Sequence, residues 1–137
     1  MATFTTPKSD AAAYAATIAA ELESWYQALA GDPAALAEIV REIGHAPTSW
    51  YDYIDAVALE VQYFHNHATG ATITEVVRTC GGPSCRIIRD SRDAAHVTVS
   101  AYWWGDAHAE VRFESADLAE VIDTLADADL AQTEAGR

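Results

Sequence analysis

Leu59-Glu60-Val61-Gln62-Tyr63-Phe64 decides the fold, because here the chain changes its hydrophobic period. Upstream, apolar residues recur every three or four positions, as on one face of a helix. Within the stretch, Leu59, Val61 and Tyr63 alternate with Glu60, Gln62 and Phe64, and a repeat of two belongs to a strand.

On the N-terminal side, Tyr14, Ile18, Leu22, Trp25 and Leu29 form a stripe between Thr6-Pro7, a cap followed by a first-turn proline, and Gly31, a stop. The spacing predicts a helix over residues 7 to 30. Asp32-Pro33 and Gly44 repeat the start and stop signals around Leu36, Ile39, Val40 and Ile43, giving a second helix over 33 to 43. Ser49 caps a third, short one with Trp50, Tyr53, Ile54 and Val57 on one face.

On the C-terminal side, Thr69-Gly70 makes a turn into a strand over 72 to 79, and Cys80-Gly81-Gly82-Pro83 breaks the ladder before a strand over 84 to 90. After a loop at 91 to 94 come a strand from His96 to Trp104, a turn at Gly105-Asp106 and a strand from His108 to Glu114. Ser115 caps a last helix bearing Leu118, Val121, Ile122 and Leu125. The predicted fold is α+β: three helices, a five-stranded antiparallel meander and a closing helix, with the helices on one face of the sheet. One domain spans residues 1–137, with frayed ends at 1–6 and 131–137.

The 50% hydrophobic content excludes a disordered chain, and 21 acids against 8 bases, a net charge of −13, disfavour direct nucleic-acid binding. The nearest approach to a membrane span, the alanine-rich stretch from Ala11 to Ala20, lies between Asp10 and Glu21 and falls short of the ~18 apolar residues required. With no basic leader and apolar signal core, the expectation is a soluble, cytoplasmic protein with reduced thiols.

The charge is unevenly placed. Residues 1 to 60 carry nine acids and two bases, 61 to 114 six acids and five bases, and 115 to 137 six acids and one base. The helices hold the acidity and the sheet is nearly neutral. On the last helix Glu120, Asp123 and Asp127 recur at steps of three and four, a row without compensating lysines, and Glu38 and Glu42 make a smaller pair on the second helix. Such a surface either imitates the charge density of a nucleic-acid backbone, docking on the basic groove of a protein that handles DNA or RNA, or is a solvated acidic face.

Other constellations carry less. Cys80, Cys85, His65 and His67 offer zinc-ligand chemistry, but pairing residues 59–67 with 72–80 sets Cys80 opposite Leu59, roughly 26 Å along the strand from His67. No metal or other cofactor is expected. No spacing places a histidine beside a cysteine as a nucleophile pair, and Gly81-Gly82 lacks the Lys-Ser/Thr of a phosphate loop, so no catalytic residue is assigned and the chain reads as non-enzymatic. Trp25, Tyr26, Trp50, Tyr51 and Tyr53 read as core. Trp103 and Trp104, adjacent in a strand, point to opposite faces, so one lies on the helix-free face as a potential anchor for a partner. A second reading uses Arg78, Arg86 and Arg89, with the Gly81-Gly82-Pro83 turn, as a small-molecule- or nucleotide-binding sheet face.

The run Val76-Val77-Arg78-Thr79-Cys80-Gly81-Gly82-Pro83-Ser84-Cys85-Arg86-Ile87-Ile88, followed by Tyr102-Trp103-Trp104-Gly105, resembles a group of small proteins carried by phages, prophages and plasmids. In these a strand ends in a Thr-(Gly or Cys)-Gly-Pro turn and returns as an Arg-Ile strand. The likeness covers about residues 56 to 113. The group is similar in character to anti-restriction and anti-CRISPR proteins, which implies an inhibitor of a host defence complex. The partner expected is therefore a protein with a basic nucleic-acid-binding groove, engaged by Glu120, Asp123, Asp127, Glu38 and Glu42 with Trp103 or Trp104 as anchor. No feature of the sequence specifies an oligomeric state.

Overall fold

A computed structural model describes residues 7–79, 83–103 and 107–136. Helix α1 (Pro7–Leu29) ends where Gly31 takes φ +97°, a left-handed conformation that disfavours any L side chain. Helix α2 (Pro33–Ile43) begins on Asp32, whose carboxylate accepts from the Ala35 N–H at 2.9 Å. It stops at Gly44, φ +86°, whose N–H returns to the Val40 carbonyl. Helix α3 (Trp50–Val57) starts on the Ser49 hydroxyl, which accepts from the Tyr51 N–H.

Five strands follow: β1 (Glu60–Asn66), β2 (Ala71–Thr79), β3 (Ser84–Asp90), β4 (His96–Trp103) and β5 (Ala107–Glu114). They pair antiparallel in sequence order. Helix α4 (Ala116–Ala135) closes the chain from its cap, Ser115, whose hydroxyl accepts from the Leu118 N–H. This is the α+β order that the change of period at Leu59 implies.

Strand alternation sorts the side chains. Val61, Val76, Ile87, Val99 and Val111 fall in register across the five strands and form one apolar row facing the helices. Helix α1 lies over β4 and β5, α2 packs on α1, and α4 crosses β1 to β4 and meets α3. Alanines on both sides, Ala11 and Ala15 on the helix and Ala101 on β4, let α1 approach the sheet closely. Edge-to-face rings tie α1, α3 and β5 together: Trp25 on Tyr53 at 5.2 Å, Tyr53 on Trp50 at 5.5 Å and Trp50 on Phe113 at 6.3 Å. Each such contact is worth about 0.5–1.5 kcal/mol beyond area burial.

Two expectations need correcting, the β1–β2 register and the burial of the helix aromatics. The β1–β2 register is displaced by two residues, so Glu60 faces Val77, and the Leu59 N–H donates to the Val77 carbonyl rather than Leu59 standing opposite Cys80. The cause is Asn66: its side-chain oxygen accepts from the Ala68 and Thr69 N–H groups and its carbonyl from that of Gly70, φ +73°, which ends the strand there. Helix α4 runs through Ala135, past its apolar stripe, and Asp129 is bound to His65 of β1 at 2.9 Å. Of the five helix aromatics read as core, Trp25, Trp50 and Tyr53 are buried, whereas Tyr26 and Tyr51 are 47% and 40% exposed. Residues 1–6, Cys80, Gly81, Gly82, Trp104 and the Gly105-Asp106 turn lie outside the described residues.

Candidate functional site

The row Glu120, Asp123 and Asp127 on α4 does not share one fate. Asp123 makes a two-point ion pair with Arg89 of β3, Nε to Oδ1 at 3.1 Å and Nη2 to Oδ2 at 3.0 Å. Arg89 is 5% exposed, and its Nη1 donates to the carbonyls of Asp93, Ala94 and His96. The row is therefore compensated at its centre. Asp123 anchors α4 to the sheet, while Glu120 and Asp127 are exposed and enter no ion pair among the described residues. Glu38 and Glu42, one turn apart on α2, are likewise exposed and unpaired.

The arginines do not form one surface. Arg86 and Arg89 are three residues apart on a strand and so occupy opposite faces. Arg86, on the open face, bonds to Glu75 and Gln62, both at 2.9 Å. Arg78 turns inward and pairs with Glu21 of α1 and the Tyr53 hydroxyl of α3. Beside it Cys85 is fully buried, and burial pushes its thiol up to about 11, so it is a packed, protonated group and not a nucleophile. Burial also raises the Tyr53 phenol, which keeps it neutral as donor and acceptor in this knot.

The remaining sheet bases are neutralised locally. Arg92 holds Asp90, lowering the carboxyl below its ordinary range, and Arg112 holds Glu114 at 3.1 Å. Trp103 packs edge-to-face on Tyr14 of α1 at 5.9 Å, so it belongs to the helix-covered side. On the open face Tyr102, 45% exposed, stacks on His108 with ring centres 4.4 Å apart.

A cleft of about 450 Å³ opens where the C-terminal end of α1, the start of α3 and the first turns of α4 converge. Tyr26, Trp50, Tyr51, Asp117 and Glu120 line it, and a shallower depression beyond Tyr26 and Asp117 adds Glu114. Only Glu120 of these was a site candidate from the sequence. The signal for Tyr26 was available: it falls beside, not on, the Ile18, Leu22, Trp25, Leu29 stripe. Convergence of three elements was not legible.

Among the described residues no three His, Cys, Asp or Glu side chains stand together as a metal site, and no described helix is long and apolar enough to cross a membrane. No family model, curated protein or solved structure matches the chain.

Proposed function

We propose that this chain is a non-enzymatic binding protein whose acidic helical layer docks on the basic, nucleic-acid-binding groove of a host defence complex of the CRISPR or restriction type and displaces its nucleic acid. One observation carries the reading. The described arginines of the sheet are consumed, inward by Glu21 and Asp123 and on the sheet itself by Glu75, Asp90 and Glu114, while Glu38, Glu42, Glu120 and Asp127 face solvent with no basic partner. Like charges one helical turn apart cost a few tenths of a kcal/mol per pair, and a basic groove would turn that cost into attraction.

The test adds purified protein to reconstituted CRISPR effector and restriction complexes and reads DNA binding and cleavage, with phage plaquing on strains carrying the same systems as the cellular readout. The reading expects at least one complex to lose DNA binding in proportion to added protein and phage plaquing to recover on that strain. Unchanged DNA binding across the panel contradicts it.

A further inference from the structure

We propose that the cleft between α1, α3 and α4 seats the guanidinium of an arginine on the partner; this rests on the docking reading above and names the contact by which it is made. The charged residues lining the cleft and its neighbouring depression are Asp117, Glu120 and Glu114, and no base lines either. Asp117 and Glu120 accept no side-chain hydrogen bond and join no ion pair among the described residues, so both are free to receive a donor. Tyr26 and Tyr51 stand at the cleft half exposed, and Trp50 lines it while 3% exposed.

Carboxylates beside aromatic rings suit an organic cation with a flat, weakly hydrated head. A guanidinium stacks on a tyrosine face while its N–H fork engages carboxylates, which an ammonium does less well. The volume falls within the ordinary range of ligand clefts, ~300–1,000 Å³. An anion is the competing occupant, because α3 and α4 begin here. A helix start supplies about half a positive charge, which the two full negative charges outweigh. The Ser49 and Ser115 hydroxyls and the Asp52 carboxylate have also taken N–H groups there. A bare divalent ion is disfavoured for want of a third ligand.

The probe is acetyl-Gly-Arg-Gly-amide titrated into the isotopically labelled protein and followed by amide chemical shifts, beside the same peptide with citrulline, which keeps the shape and removes the charge. A saturable shift at Tyr26, Trp50, Tyr51 and Glu120, with Kd of about 1–10 mM, is expected for one side chain of this size. The citrulline peptide should bind at least tenfold more weakly, as should the arginine peptide to Tyr26→Ala or to Asp117→Asn/Glu120→Gln. Equal binding of the two peptides, no saturable shift up to about 50 mM, or shifts shared equally with Glu38, Glu42 and Asp127 would overturn the assignment. The peptide comparison uses the unaltered protein, so its outcome does not depend on how a variant folds. If the arginine peptide seats here but no defence complex is inhibited, the function falls and the cleft stands; if a complex is inhibited equally well by Tyr26→Ala, the reverse holds.

Discussion

Asp123→Asn should unfold this domain well before the same change at Glu120 or Asp127. The amide keeps one acceptor for Arg89 and turns an NH₂ donor toward the other guanidinium N–H, so a two-point ion pair becomes one hydrogen bond and one repulsion. Arg89 cannot swing into water, because it is 5% exposed and tied to three carbonyls. Removing one partner of a buried pair costs about 3–5 kcal/mol. Here the Asp123 side chain keeps 32% of its surface in solvent, and the three carbonyls still solvate the guanidinium, so about 2–3 kcal/mol is the better figure. At about 3–4 °C per kcal/mol for a chain of this size, Tm should fall by about 6–12 °C. Glu120→Gln and Asp127→Asn, exposed and unpaired, should each move it by about 2 °C or less. Thermal unfolding by circular dichroism reads all three. An Asp123→Asn Tm within about 1 °C of the parent refutes this account of how α4 is held.

Acid should destabilise the protein through Asp52 and Asp90, whose carboxyls are lowered by the Thr48 N–H and by Arg92 respectively. A lowered folded-state value contributes stability above the ordinary carboxyl range near pH 4 and loses it as pH falls through the lowered value; a denaturant midpoint that stays flat from pH 5 to 2 contradicts this. Cys85 should resist alkylation at pH 8 in the native protein and react on unfolding, as mass spectrometry of the modified peptide would show; rapid native labelling of that residue counts against its burial. Gly44→Ala should lower stability by about 1 kcal/mol, because φ +86° strains an L residue, and urea unfolding checks it.

The boundaries were legible because they are set by local chemistry. Asp32-Pro33 and Gly44, Ser49 and Ser115 each satisfy or end a helix terminus with groups a few residues away. What the sequence could not show is what crosses between elements. The turn residue Asn66 shifted the hairpin, and the contact of Asp129 with His65 carried α4 past the end of its apolar stripe. Asp123 looked like a member of an acidic row because the spacing that puts three carboxylates on one face says nothing about the arginine beneath the middle one. The arginines could have been separated in advance, since Arg86 and Arg89 differ by an odd number of residues along a strand.

The most direct test of the acidic docking face keeps Asp123 and changes only the exposed acids, Glu120→Gln/Asp127→Asn with Glu38→Gln/Glu42→Gln. Association with an inhibited defence complex is followed by surface plasmon resonance from 50 to 300 mM salt. Docking through these acids predicts an on-rate that falls steeply with salt for the parent, and for the variant an on-rate at least tenfold lower at 50 mM with a flatter salt dependence, at unchanged Tm. Equal on-rates and equal salt slopes for parent and variant would contradict it and leave the acidic layer a solvated surface.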